Sequence, residues 1–227
     1  MKNLIVFDVN ETLLDLGALD SDFERVFGNP STRVSWFSQV LQGSLVATIT
    51  NTYHNFGEIA GAALDMIAAR NGVSLRAEDR TAILGRIRTL PPHPDVVPGL
   101  EKLRAAGFRL FTLTNSPPQV VEAQLHNAGL SAFFEHSFSV DAVRVFKPAA
   151  EVYRMAAEKL GVEIGQIRLV AAHDWDVAGA LRAGCAAAFI SRLGMVLNPL
   201  MPPPDIVGHD LIEVADKITA QTRASIR

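Results

Sequence analysis

The chain has 227 residues, is 48% hydrophobic and 20% charged, and carries a formal net charge of -3. That balance supports a substantial core and excludes a disordered chain; with a pI near 6.1 it leaves no basic footprint for nucleic acid. The single cysteine, Cys185, excludes an intrachain disulfide framework and fits a reducing cytoplasm, and no apolar stretch approaches the length of a membrane span.

The lysines and arginines form no run suited to an anionic membrane surface. Asp8 follows only a handful of apolar residues, too few for a signal-peptide core, so the expected location is the cytoplasm. Leu4-Ile5-Val6-Phe7 is a short apolar run with β-branched residues; it reads as a buried strand ending at Asp8, before the turn Val9-Asn10-Glu11-Thr12. Helices are expected next over 14–27, 35–42, 44–53, 56–71 and 77–89, with Gly28-Asn29-Pro30 separating the first two. Pro91-Pro92-His93-Pro94 closes this block as a hinge. The rhythm then changes. A helix over 97–106 stops at Gly107, a strand over 108–113 ends in Thr114-Asn115-Ser116, and a helix over 118–128 stops at Gly129. There follow a strand over 134–139, a helix over 149–160 closed by Gly161, and a strand over 167–172. A helix over 176–183 closed by Gly184, a strand over 187–191, an edge strand at 205–207 and a terminal helix over 211–222 complete the chain. Strands alternating with helices predict an α/β fold, a doubly wound, mainly parallel sheet with right-handed crossovers. Residues 1–13 and 94–227 would form that core, and 14–93 an all-helical insert after its first strand.

Ligands of an open α/β sheet bind outside the carboxyl ends of the strands, and polar residues gather at those ends here. The first strand supplies Asp8, and the second Thr114 and Asn115. The third leads to Arg144-Val145-Phe146-Lys147-Pro148 and the fourth to His173-Asp174-Trp175-Asp176. Each has an ordinary explanation when taken singly. A strand-ending Asp caps a turn, Thr-Asn is a common helix N-cap, and a lysine before proline is a solvated charge. The four in this order are hard to explain as loop chemistry, and a carboxylate placed as Asp8 is can act as a nucleophile.

Asp8 with Thr12, then Thr114-Asn115, then Lys147-Pro148, then Asp176 resemble the ordered motifs of the haloacid dehalogenase superfamily. The resemblance spans the whole chain, including a helical cap inserted after the first strand of a Rossmann-like core. Three strings resemble the type II 2-haloacid dehalogenases: Leu113-Thr114-Asn115-Ser116-Pro117, residues 139–148, and Trp175-Asp176-Val177-Ala178-Gly179-Ala180. The resemblance implies a cofactor-free, metal-independent hydrolase of short 2-haloalkanoic acids. Asp8 would expel halide from C2 of the substrate with inversion, and water would attack the carboxyl carbon of the resulting Asp8 ester. Thr114 and Asn115 would bind the substrate carboxylate, and Lys147 would hold Asp8 and stabilise the developing oxyanion. Asp176 would orient Lys147 and help position the water, Tyr153 would support the site, and Thr12 would hydrogen-bond near Asp8. The implied partners are a small 2-haloacid and, through the cap, a second copy of the chain.

Several positions bear on the chemistry independently. Phosphatases of the superfamily protonate the leaving alkoxide with an aspartate two residues after the nucleophile; here that residue is Asn10, and an amide is no usable acid. Mg²⁺ in those enzymes needs further oxygen ligands from the last motif, where the first acidic position is Ala172. Two departures separate the chain from the dehalogenases. Phe37, in Trp36-Phe37-Ser38-Gln39, stands where an arginine meets the halide, and Asn10, His54 and Asn55 are candidates to replace that donor. Ala171 replaces a water-orienting serine, and His173 replaces an asparagine. His173 then reads either as a group that orients or deprotonates the hydrolytic water or as a structural histidine. Trp36, Phe37, Leu41 and Phe56 are candidates for a pocket roof. Two alternatives stand beside the dehalogenase: a Mg²⁺-dependent phosphatase of a small metabolite, and a catalytically silent binding protein that keeps the fold.

Overall fold

β1 (Leu4–Phe7) is buried along its whole length, as a parallel strand covered on both faces must be. The computed structural model describes residues 4–224; residues 1–3 and 225–227 of the expected core lie outside them. β1 pairs with β2 (Arg109–Thr114) on one side and β4 (Ile167–Ala171) on the other. β3 (His136–Ser139) lies outside β2, while β5 (Ala186–Ile190) and β6 (Ile206–Gly208) lie outside β4. The order is β3-β2-β1-β4-β5-β6 and every pairing is parallel. α5 (Val96–Ala105) and α6 (Pro118–Asn127) connect one half of the sheet; α7 (Ala150–Leu160) and α8 (Asp174–Ala183) connect the other. α7 packs on α8, and α9 (Leu211–Ala224) packs on α5. The winding thus reverses at β1, and the crevice of such a sheet opens at the carboxyl end of that strand. Phe7 stands in register with Thr112 and Val170, which brings Asp8 level with Leu113 and Ala171.

Between β1 and α5 the chain forms a 3₁₀ turn (Leu16–Leu19), α1 (Asp20–Phe27), α2 (Thr32–Ile49), α3 (Phe56–Arg70), α4 (Ala77–Arg86) and a second 3₁₀ turn (Ile87–Thr89). Two sequence expectations change here. The helix expected to begin at Leu14 begins with the 3₁₀ turn, because the Asp15 carboxylate accepts from the Gly17 N–H at 2.7 Å. The separate helices expected over 35–42 and 44–53 are the single helix α2. Gly43 does not interrupt it; a Cβ there would lie 2.9 Å from Ile59 Cγ2, so the glycine lets α2 lie close to α3. The segments that leave and re-enter the sheet run side by side: Asp15 N donates to Pro91 O at 2.8 Å and His93 N to Leu13 O at 3.0 Å. The helical block is docked over the strand ends. Phe146 N donates to Thr48 Oγ1 at 3.1 Å, and Tyr53 donates its hydroxyl proton to Asp141. One apolar cluster, including Phe7, Phe23, Trp36, Phe146 and Phe189, runs through both regions. Among the described residues no helix is long and apolar enough to cross a membrane.

α8 starts two residues before the expected position, at Asp174, with His173 extended at its N-cap. Asp174 and Asp176 therefore fall in its first turn, where the helix dipole favours negative charge. One turn on, Gly179 faces the segment that carries Lys147. A Cβ at Gly179 would lie 2.7 Å from the Tyr153 hydroxyl and 2.8 Å from Pro148 O. Alanine in a helix interior is ordinarily favoured over glycine by about 1 kcal/mol, whereas overpacking costs about 1–3 kcal/mol. Gly179→Ala is accordingly expected to lower the melting temperature, not raise it, and to lower turnover as Tyr153 and Pro148 shift; thermal unfolding followed by circular dichroism checks the sign.

Candidate active site

Asp8 leaves β1 with its backbone N–H still bonded to Val170 O at 3.1 Å, so its carboxylate is fixed at the strand end. Lys147 reaches it from the loop beyond β3. The Lys147 ammonium donates to Asp8 Oδ1 at 2.7 Å, Asp176 Oδ2 at 2.7 Å and Leu113 O at 2.9 Å, so all three of its protons are used. Two of the partners come from strand ends and one from the first turn of α8. Asn115 Oδ1 accepts from the Lys147 backbone N–H at 3.1 Å and so fixes the loop that carries the lysine. The Tyr153 hydroxyl, on α7, donates to Asp176 Oδ1 at 2.6 Å.

The second oxygen of Asp8 has different neighbours. Thr12 donates to Oδ2 at 2.7 Å, and the Thr12 hydroxyl accepts in turn from the Ala172 N–H at 2.9 Å. His173 Nδ1 lies 3.1 Å from the same Oδ2, and its Nε2 lies 3.0 Å from Glu11 Oε2. Glu11 has a left-handed backbone (φ 60°), uncommon outside glycine, held by a bond from its N–H to Leu14 O and by His93 Nε2 at its carbonyl. Arg33, on α2, approaches Glu11 Oε1 at 3.6 Å. The His173 ring stacks on Trp175 with centroids 4.9 Å apart and lies 6.2 Å from the Phe37 ring.

The protonation states follow from this arrangement. Burial would raise the Asp8 pKa, but Lys147 and His173 outweigh it and hold the carboxyl well below the usual range. Burial would lower the Lys147 pKa; Asp176 and Asp8 raise it instead. Asp176 is pushed up by burial, against the pull of Lys147 and with the Asp8 charge adding to the rise. Burial and the neighbouring Asp176 push Tyr153 well above its ordinary value, so it stays a donor. For His173, burial opposes the charge, yet the bonds to Asp8 and Glu11 win and raise its pKa to about 9.

Asp8, Thr12, Lys147, Tyr153, His173 and Asp176, all expected from the sequence, are thus linked in one buried network. Asn10 lies at its side, donating to Ser116 Oγ at 3.2 Å and accepting from Gln124 Nε2 at 2.9 Å. Asn10 and Ser116 line a cavity of about 70 Å³ together with Trp36, Phe37, Phe56 and Ile87; Asp8 itself does not line it. A smaller hollow, about 30 Å³, is lined by Leu41, Asn115, Lys147 and Trp175. All four expected roof residues therefore line one space or the other. Thr114 lies behind the site: it is fully buried, lines neither space, and accepts from the Ser116 N–H at 3.1 Å. Of the three groups considered in place of the arginine, only Asn10 lines the cavity. The Asn55 side chain caps α3, and His54 is exposed beside Glu58. Sequence reading passed over Glu11 and Gln124. Glu11 stood inside the first motif, but its left-handed turn back toward His173 has no signature in residue spacing.

A family model for haloacid dehalogenase-like hydrolases matches residues 2–184. The chain belongs to that family. It is 30% identical over 203 residues to the (S)-2-haloacid dehalogenase of Pseudomonas sp. (strain YL), covering 88% of each chain. The L-2-haloacid dehalogenase structure from Xanthobacter autotrophicus superposes with a TM-score of 0.91 at 25% identity, covering 97% of this chain and 99% of that one. The same enzyme with chloropropionic acid covalently bound superposes with a TM-score of 0.90 at 25% identity, covering 96% and 98%.

The raised pKa of His173 makes the stability of this hydrolase pH-dependent. Folded His173 keeps its proton to about pH 9, whereas the unfolded side chain loses it near 6.5. Its stabilisation is complete below about pH 6.5 and is lost as pH rises through about 9, with a limiting slope of about -1.4 kcal/mol per pH unit. Denaturant titrations across that range are expected to show the decline in the native protein and a flatter profile in His173→Gln.

Proposed function

We propose that the protein hydrolyses short 2-haloalkanoic acids to 2-hydroxy acids and halide, with Asp8 as the nucleophile. The observation that carries this reading is Asp8 itself, buried and ionised, with an amide, Asn10, where a phosphatase keeps its general acid. A halide needs no proton to leave, whereas an alkoxide does. Asn10, the residue positioned for that role in a phosphatase, is an amide already bonded to Ser116 and Gln124. The adjoining cavity of about 70 Å³ suits a small acid and has no room for a macromolecule. In this reading residues 1–13 and 94–227 form the catalytic core, and 14–93 form the cap that closes over the substrate.

The steps follow from the contacts. Among the described residues Asp8 Oδ1 accepts only from Lys147, leaving a lone pair for attack on C2, while both lone pairs of Oδ2 are occupied by Thr12 and His173. Bonding of Oδ1 to C2 expels halide with inversion and leaves a neutral Asp8 ester. Asn115, whose oxygen is committed to the Lys147 N–H, keeps its amide protons for the substrate carboxylate. Phe37 and Phe56 present an apolar face to the reacting carbon; desolvation there strengthens every charge interaction inside the site. Thr114 contributes by shaping the turn that carries Asn115 and Ser116.

A divalent cation does not fit these residues. The Lys147 ammonium already occupies the space between Asp8 and Asp176. Ala172 supplies no side-chain oxygen ligand, and among the described residues no group of three or more His, Cys, Asp or Glu is placed to hold a metal.

Halide release from the separate enantiomers of 2-chloropropionate, measured with a chelator present, tests the reading. Release from the S enantiomer alone is expected, unchanged by the chelator and abolished in Asp8→Asn. In a single turnover in ¹⁸O-water the label should enter Asp8 and not the lactate. Metal-dependent phosphate release without halide release would overturn the proposal.

A further inference from the structure

His173 is surrounded in a way that neither a spectator nor a base requires. Both ring nitrogens face carboxylate oxygens, Asp8 Oδ2 at 3.1 Å and Glu11 Oε2 at 3.0 Å. Carboxylates only accept, so each nitrogen must donate, and the ring in this pose is an imidazolium. Its orientation is held by the Trp175 face on one side and Phe37 on the other, and an aromatic face favours a cation. Glu11 is held in turn: its backbone is left-handed, its N–H is bonded to Leu14 O, and Arg33 from the cap lies 3.6 Å from its other oxygen.

The position of this cation matters because the two Asp8 oxygens part company once Oδ1 is alkylated. Oδ2 then becomes the ester carbonyl oxygen, and negative charge develops there when water attacks Cγ. We propose that His173, positioned by Glu11 and joined by the Thr12 hydroxyl, forms the oxyanion hole for hydrolysis of the Asp8 ester and is not its general base. The inference rests on the dehalogenase reading above and deepens it. The water oxygen bonds to Cγ, the Cγ–Oδ2 π pair moves onto Oδ2, and one water proton passes to the Asp176 carboxylate. On collapse the pair on Oδ2 re-forms the double bond, the Cγ–Oδ1 bond breaks, and Oδ1 leaves as the hydroxyl of the product, taking the proton back from Asp176. Asp8 then ionises and one proton goes to solvent. Lys147, bound to Oδ1 and Asp176, serves the attacking and leaving oxygen, while His173 and Thr12 serve the oxygen that holds the charge.

The other charged groups around the imidazolium are Lys147 and Asp176 beyond Asp8, Arg33 beyond Glu11, and His93 and Arg192, which reach the backbone oxygens of Glu11 and Thr12. None of them touches the ring.

Rapid-quench kinetics with (S)-2-chloropropionate separate the two halves of the reaction: a halide burst reports alkylation, and intact-protein mass spectrometry reports the lifetime of the carboxyethyl ester. Glu11→Gln keeps an acceptor for Nε2 but removes the charge; His173→Gln removes the cation itself. In both variants the burst should stay near one halide per chain, and alkylation should slow less than ester hydrolysis does. Ester hydrolysis should slow by about 10²-fold or more in His173→Gln, the loss typical of an oxyanion donor, and less in Glu11→Gln. In the native protein ester hydrolysis should fall as pH rises through the loss of the His173 proton, at a lower pH than in the free protein because the ester lacks the Asp8 charge that raises it, and that limb should move lower still in Glu11→Gln. A hydrolysis rate that instead rises as His173 deprotonates would make it a base and overturn the proposal. Equal slowing of burst and hydrolysis, or unchanged hydrolysis in both variants, would overturn it as well. A native protein that releases no halide and forms no ester would overturn the dehalogenase reading and this inference with it, an outcome separate from those seen in the variants.

Discussion

A fully buried ammonium is the constraint on which the site depends. Lys147 has no exposed side-chain surface, and an uncompensated charge in such a place is strongly destabilising. It is tolerated because three oxygens from separate parts of the chain converge on it: Asp8 after β1, the Leu113 carbonyl in β2, and Asp176 at the start of α8. The surrounding architecture can be read as what this convergence needs. The parallel register brings Asp8 and Leu113 level, Asn115 fixes the lysine's own backbone, Tyr153 satisfies the remaining oxygen of Asp176, and Gly179 leaves room for Pro148 and Tyr153 to approach α8. Replacing the ion pairs by apolar residues would in general cost the fold little, so the cluster is better explained by chemistry than by stability.

Around Asp8 the charges are divided between its two oxygens. Lys147 takes Oδ1; Thr12 and His173 take Oδ2. The carboxylate is thereby kept ionised in a place where burial alone would neutralise it. The lower dielectric of the buried site amplifies each of these interactions, and the helices that follow β1 supply that environment. Phe37 lies against His173 and Phe56 against Phe37, so the aromatic face of the helical block meets the charged floor directly. An arginine at position 37 would face the imidazolium across that gap. Phe37 and His173 are therefore mutually consistent departures from the type II pattern: with a cation held from below by Asp8 and Glu11, an apolar ring above avoids like-charge repulsion.

Much of this was legible before folding was considered. Alternating strand and helix signals, with glycines closing four of the core helices, set the doubly wound plan, and the observed strands and α-helices after residue 94 start and end within about two residues of expectation. Asp8, Thr12, His173 and Asp176 were legible because each sits at a strand end or about one helical turn beyond it, where the topology itself makes a crevice; Lys147 and Tyr153, farther from β3, were legible through the motif resemblance. The departures lay mostly in the helical insert; in the core, Thr114 lies behind the site and lines neither space. Gly43 resembles a helix breaker when read locally, and only its contact with Ile59 shows that it serves close packing between α2 and α3. Asn55 resembled a ligand and proves to be an N-cap, an assignment that depends on the Glu58 N–H 3.1 Å away.

The sequence by itself determined the fold class, the helical segment after β1, and the carboxylate at the end of β1 with the motif lysine, because periodicity, the position of polar residues at strand ends and short motifs are local properties. Which oxygen of Asp8 faces which donor, the double anchoring of His173, and the recruitment of Glu11 and Arg33 were decided only by tertiary structure. These depend on a single left-handed residue and on the approach of a helix more than 20 residues further along the chain, and no spacing rule encodes either, since side-chain direction is set by packing from all sides at once.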